Sequence, residues 1–275
     1  MITMFAGASK GKIVERFIPV LLVLTVLLAF VIGVLWQKVA NLEKNGVTNT
    51  NNNQAVAQAA PTQAPVTIDK IKNVFKANVI KFGDEKRKVL FVEIVDPSCP
   101  YCHVAGGKDP ELNNQIDPAG KFKLTTDGGT YDAPVPEMQK LVDQGKASYA
   151  LIYSPGHGNG EMGMKALYCA FDMGKFWEVN DLIMNNAGYT LMNNKVLNDK
   201  TKAGDVASFL SSVVDPTKME TCIKDAKWDG RLADDMKLAS EVGSGGTPNF
   251  FVNTANFPGA YNFADMKSAV DVALK

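Results

Sequence analysis

KVLFVEIVDPSCPYCH, residues 88–103, is the stretch on which the reading of the fold turns. Residues 89–95 are apolar on both phases of a two-residue alternation, with Glu93 the one interruption. That pattern predicts a strand buried on both faces, at the centre of a sheet covered by helices. The strand delivers Cys99 and Cys102 at C-x-x-C spacing. With His103 the motif reads in two incompatible ways: as a thiol pair that trades electrons with other thiols, or as the C-x-x-C-H attachment pattern of a c-type haem.

Thiol exchange needs one thiolate near neutral pH. A cysteine at the start of a helix gains from unpaired N–H groups and the positive end of the dipole, which lower its pKa below the free value of about 8.5. Pro100 suits the first helical position because it has no N–H to lose. Cys99 is therefore expected to be the exposed nucleophile. Cys102, a turn later and deeper, is the thiol that closes on it and releases a partner from the mixed disulfide. Glu93 has two readings: an edge or solvent-facing position in an alternating strand, or a partly buried acid that passes protons to or from Cys102.

Upstream of the motif, TIDKIKNVFKA sets Ile68, Ile71 and Phe75 at helical spacing, and residues 77–96 read as two strands around a charged turn. Downstream, residues 103–134 have weak periodicity, glycine pairs and an expected hairpin around Asp127-Gly128-Gly129. VPEMQKLVDQGK reads as a short helix and ASYALIYS as a second buried strand. Residues 160–184 are apolar at helical spacing with a break near Gly174, and further helices are expected over 203–212, 215–226 and 229–242. NFFVN, a hairpin-like return and ADMKSAVDVALK close the chain as strand, strand and helix. The order predicts an α/β fold: a sheet with helices on both faces and a helical insertion over about 155–242. Thr247-Pro248, after a glycine-rich approach and directly before NFFV, marks a backbone that turns sharply into the sheet.

The N-terminal quarter is different. Residues 17–36 carry no charge, and a helix of that length spans the hydrocarbon core of about 30 Å, so a single transmembrane helix is expected there. The run is longer than the apolar region of a cleaved signal peptide. Lys10, Lys12 and Arg16 precede it, which favours a cytoplasmic segment over 1–16 and an extracytoplasmic remainder at the cell membrane. Residues 37–65 are rich in Asn, Gln and Ala and poor in large apolar side chains, as a flexible linker is. The folded domain is then 66–275. Lys and Arg number 29 and so do Asp and Glu, so nothing in the balance favours nucleic acid.

CPYC after a buried strand, Glu93 upstream, a helical stretch between the halves and GGTPNFF before the last hairpin together resemble the DsbA-like branch of the thioredoxin superfamily. The resemblance covers residues 67–275. It implies a thioredoxin fold and an extracytoplasmic thiol:disulfide oxidoreductase with no cofactor and no metal, most simply supporting disulfide formation. It also implies that Cys99 attacks, Cys102 resolves, Pro248 is a cis-proline against the pair, Thr247 offers its backbone to a substrate strand, and Glu93 is the acid beneath the motif. Its partners would be exported thiol-containing proteins and a redox partner for recycling, such as a membrane quinone-linked oxidase, with the bilayer met through 17–36. Two departures stand out: residues 104–135 are longer and more polar than the family's following helix, and Pro100-Tyr101 is not the Pro-His of its most oxidising members. Net direction is thereby open between oxidase, reductase and isomerase.

Three other readings compete. In a c-type haem protein His103 would ligate the iron, with His157 or one of the 11 methionines opposite. Such a protein leaves Pro100 and the Thr247-Pro248 segment unexplained. A zinc site using all four cysteines lacks a second close pair, Cys169 and Cys222 being far apart in sequence. A non-enzymatic surface binding module would keep the fold without needing the reactive constellation. Cys169 and Cys222 are either buried thiols or, as an oxidising compartment favours, a structural disulfide that staples the insertion. His157 reads as a surface-loop residue and the methionines of 160–191 as core filler or a soft binding surface.

Overall fold

The computed structural model describes residues 65–275. The 1–16 segment, the expected anchor over 17–36 and all of the linker but Pro65 lie outside the described residues. Among the described residues no helix is long and apolar enough to cross a membrane. Helix α1 (Ile68–Lys76) is capped by the Thr67 hydroxyl, which accepts the Lys70 N–H, and buries Ile71, Val74 and Phe75 along one stripe. Strands β1 (Ile80–Phe82) and β2 (Val89–Val95) precede three helices, α2 (Pro100–Gly106), α3 (Pro110–Ile116) and α4 (Pro134–Asp143). Each of those helices opens on a proline, where the missing N–H has no intrahelical acceptor to lose.

After β3 (Ala147–Tyr153) come α5 (Glu161–Asp172), α6 (Phe176–Ile183), α7 (Asn186–Thr190) and a π-helical stretch, Leu191–Val196. Helices α8 (Ala203–Phe209), α9 (Pro216–Ile223) and α10 (Lys227–Glu241) complete the insertion. Strands β4 (Asn249–Val252) and β5 (Ala255–Pro258) and helix α11 (Phe263–Leu274) close the fold.

The sheet runs β1-β3-β2-β4-β5, with β2 central. β2 is parallel to β3 and antiparallel to β4, and β1 pairs antiparallel with β3. The two strands around the charged turn therefore both form without being neighbours, because β3 lies between them. Alternation along β2 sorts its side chains: Leu90, Val92 and Ile94 pack with Ile71, Val74 and Phe75 of α1, while Val89, Phe91 and Val95 pack on the opposite core with α4, the insertion and α11. Glu93 shares the phase of Phe91 and Val95, so its carboxyl is carried into the second core.

A disulfide joins Cys169 of α5 to Cys222 of α9, with S–S 2.11 Å. It ties two helices of the insertion together. The methionines Met162, Met164, Met184 and Met192 are buried in the core that the insertion shares with the sheet.

Two expectations are corrected. The hairpin over 121–133 does not form. Thr125–Asp127 is a single 3-10 turn, and Leu124 and Tyr131 meet only as an isolated parallel bridge. The Leu124 carbonyl takes the N–H groups of both Asp127 and Gly129, which closes a compact loop with no ladder to extend. Glu93 is not at an edge or facing solvent, because β2 is the central strand and this residue is 2% exposed.

Candidate active site

Cys99 is the N-cap of α2, its backbone extended, and its carbonyl accepts the N–H groups of Cys102 at 3.0 Å and His103 at 3.3 Å. The thiol is less open than its expected role as an exposed nucleophile: Cys99 is 6% exposed and Cys102 1%. The cover comes from the Thr247 loop, whose carbonyl accepts the Cys99 Sγ–H at 3.3 Å. Deeper in, Cys102 Sγ accepts the Asp96 N–H at 3.5 Å.

Environment splits the pair. A hydrogen bond from the Cys102 thiol, helped by the Thr247 side chain and by backbone N–H groups of α2, lowers the Cys99 pKa from 9.0 to about 6 despite partial burial. Burial, with the neighbouring Cys99 and Glu93, pushes Cys102 well above its ordinary value. One thiol is thus ionised at neutral pH while the other keeps its proton.

Glu93 lies opposite Leu151 of β3 and Phe250 of β4, and its Oε2 accepts a hydrogen bond from the Tyr149 hydroxyl. Burial raises its pKa from 4.5 to about 7, with the Tyr149 donor working in the opposite direction. A carboxyl that titrates at neutrality can either hold or release a proton beneath the pair. Nothing in the sequence singled out Tyr149, since an aromatic residue in a buried strand reads as core.

Thr247-Pro248 is a cis peptide, and the Pro248 carbonyl accepts the Gly259 N–H at 2.8 Å, fixing the approach to β4 against β5. The Thr247 hydroxyl is buried and, while Cys99 keeps its proton and donates it to the Thr247 carbonyl, makes no hydrogen bond among the described residues; it becomes a donor to the Cys99 thiolate. Cys99, Cys102, Thr247 and Glu93 thereby converge from β2, α2 and the start of β4. Beside them runs a groove of about 640 Å³ lined by Tyr101, Phe122, Tyr131, Thr247, Pro258 and Tyr261. Phe122 and Tyr131 come from the long 104–135 segment, and Tyr101 is 45% exposed at the rim.

His103 is buried, with Nε2 2.9 Å from the Pro97 carbonyl and its ring edge-on to Tyr189. Desolvation lowers its pKa to about 4, so it is neutral and exerts no charge on the thiolate. A haem would need this ring at an open iron face, and packing on all sides denies it one. His157 lies exposed on the loop after β3. With Cys169 and Cys222 bonded to each other, the four-cysteine zinc site is not formed. Sequence reasoning also missed Asp96, a buried carboxylate between β2 and Cys99.

The central parallel pair of strands, the antiparallel β4–β5 return and the covering helices form a thioredoxin fold with a helical insertion. Comparison with known proteins agrees. A family model described as thioredoxin matches residues 136–272, a stretch that begins after the cysteine motif. The chain is 25% identical over 192 residues to the Na(+)/H(+) antiporter NhaA 3 of Salinispora tropica, an alignment of 68% of this chain and 24% of that protein. It thus spans about a quarter of the length of the curated relatives it matches. Among solved structures, oxidised BdbD from Bacillus subtilis superimposes with a TM-score of 0.52 at 14% identity, over 77% of this chain and 96% of that one. The alpha-DsbA1 protein of Wolbachia pipientis does so with a TM-score of 0.51 at 18% identity, over 72% and 91%.

Proposed function

We propose that the chain is an extracytoplasmic thiol:disulfide oxidoreductase, anchored in the cell membrane through residues 17–36, that donates its Cys99–Cys102 disulfide to exported proteins. The observation that carries this reading is the asymmetric thiol pair at the start of α2, facing Thr247 and lying over buried Glu93. A substrate thiolate attacks Cys99 Sγ, the intramolecular S–S bond breaks, and Cys102 leaves as a thiolate. Protonated Glu93 supplies the proton that Cys102, with its raised pKa, takes up. A second substrate thiolate then attacks the substrate sulfur of the mixed disulfide and expels Cys99. The substrate leaves oxidised by two electrons, and the pair remains reduced as one thiolate and one thiol.

A leaving group with a pKa of about 6 departs readily, and stabilising it favours the reduced pair, which makes the disulfide an oxidant. That supports donation over reduction or isomerisation. Recharging then requires a redox partner such as a quinone-linked membrane oxidase. Thr247 serves the substrate strand through its backbone, and the groove beside Tyr101 takes the residues that flank the substrate cysteine.

The test uses the full-length chain and reduced, unfolded ribonuclease A. Cys102→Ser, with Cys99 first charged as its mixed disulfide with glutathione, is expected to pass to a Cys99–ribonuclease mixed disulfide as the substrate thiolate expels glutathione and to stop there, and Cys99→Ser to oxidise nothing. Equal oxidation by Cys99→Ser and the unaltered chain would overturn the proposal. Equilibration with glutathione reads direction: a potential nearer to about −120 mV than to about −270 mV marks a donor.

A further inference from the structure

The segment between β2 and Cys99 takes no part in the exchange steps, yet it holds the densest polar node near the site. Asp96 is 0% exposed. Its Oδ2 accepts the N–H groups of Gly156 at 2.8 Å, His157 at 2.7 Å and Gly158 at 3.0 Å, and its Oδ1 accepts the Ser98 N–H at 2.8 Å and hydroxyl at 2.7 Å. Donors on both oxygens are what a carboxylate needs to be buried without an ion-pair partner. Successive backbone N–H groups converging on one anion form a nest, here filled by a side chain of the protein itself. Ser98 extends the node, its hydroxyl accepting the Asn159 N–H at 2.9 Å and its carbonyl the Asn193 side-chain amide at 3.1 Å.

The loop held in this way is pressed against the cis-proline segment. A Cβ on Gly156 would stand 1.7 Å from Thr247 Oγ1, and one on Gly160 would stand 1.9 Å from Asp96 Oδ1. Gly156 is required for space, not for an unusual φ. What it touches is the residue whose carbonyl meets Cys99 Sγ and whose hydroxyl has no other partner.

We propose that Asp96 is a positioning residue for Cys99, acting through Gly156 to hold Thr247 against the thiol. The proposal rests on the oxidoreductase reading for its purpose, but the thiol itself reports on it. With the nest intact, the Gly156 Cα fixes where the Thr247 side chain lies, and the Thr247 hydroxyl, bonded to nothing else, is left to donate to Cys99 when the thiol loses its proton. Loosening the nest, or filling the space at Gly156, moves Thr247 away and removes that donor.

The experiment measures the rate of Cys99 alkylation by iodoacetamide against pH in the reduced full-length chain, with the labelled site identified by mass. The variants are Gly156→Ala, Thr247→Ala, the two combined, and Asp96→Asn. Gly156→Ala is expected to move the midpoint up by about one unit, roughly a tenfold loss of thiolate well below it. Combined with Thr247→Ala, it should add little to the shift of Thr247→Ala alone, because the side chain it displaces is gone. Asp96→Asn should shift in the same direction, since an amide cannot accept at both ends. A folded Gly156→Ala with an unchanged midpoint, or one with the same shift whether or not Thr247 is truncated, overturns the proposal, including where Asp96→Asn fails to fold. A role confined to stability would lower the melting temperature and leave the midpoint in place. Failure of the unaltered chain to oxidise ribonuclease would sink the functional reading and leave this profile readable.

Discussion

Glu93→Gln offers a quantitative test of the buried acid. In the folded protein the carboxyl titrates at about 7, against an ordinary value of 4.5. Below pH 4.5 it is protonated folded and unfolded, and its titration contributes nothing to the difference. Between the two values the folded state keeps a proton that the unfolded state releases, so stability falls as pH rises through this window. Above pH 7 the ionised, buried group costs the fold about 3 kcal/mol. Glutamine keeps an oxygen for the Tyr149 hydroxyl to donate to but cannot ionise. Its buried amide shifts the absolute stability of the variant without giving it a pH slope.

The assay is urea unfolding followed by tryptophan fluorescence, with Cys99 and Cys102 reduced and the Cys169–Cys222 bond intact, at several pH values from 4.5 to 8. The stability of the variant minus that of the unaltered chain should rise by about 3 kcal/mol across the range. Asp235, whose pKa burial raises to about 6, titrates in the same direction in both proteins and cancels in the difference. A difference that stays flat with pH would show that Glu93 ionises as an ordinary carboxylate, and its role as proton donor to Cys102 would go with it.

Two further outcomes are expected. Cys102→Ala removes the largest influence that lowers the Cys99 pKa, so the midpoint of Cys99 alkylation should climb from about 6 toward the ordinary 9.0, and an unmoved midpoint would assign the low value to the helix start alone. Replacing Cys169 and Cys222 by alanine opens a loop with a sequence separation of 53, which should cost about 4 kcal/mol in urea while the alkylation profile of Cys99 stays in place.

The parts of the molecule legible in its sequence are those with a local physical signature. β2 is readable because an unbroken apolar run serves a strand buried on both faces. The opening of α2 is readable because proline tolerates only the first turn, and the α5–α6 break because Gly174 turns left-handed at φ 68°. The NNAGYTLMNN region, residues 185–194, folds into α7 and the π-helical stretch with no clear periodicity to announce it. There the fold of the chain follows from hydrogen bonds such as that from Asn193 to the Ser98 carbonyl. Tyr149 and Asp96 were invisible for the same reason: each matters through a partner distant in sequence, Glu93 for one and the Gly156–Gly158 backbone for the other. Cys99 follows suit, since what covers it is Thr247.

The strand order has a consequence for how this molecule can change. β3 leaves the sheet at the end where β2 delivers Cys99, with the Ser154 N–H still bonded to the Val95 carbonyl, and antiparallel β4 enters at that same end just after Pro248. Everything between 154 and 247 therefore leaves and re-enters the sheet at one end, beside the reactive sulfur, while α10 folds back on β3, its Asp235 accepting the Tyr153 N–H at 3.1 Å. The pairing of β2 with β3 and β4 is made by strands outside that span, so changes in the loops between its helices leave the register intact provided the loop at 156–158, the approach to Pro248 and the packed faces of α5 and α10 are kept. Changes on the outer face of the insertion and the chemistry beneath the cleft are separable in this architecture, because both ends of the inserted chain are fixed at the same end of the sheet.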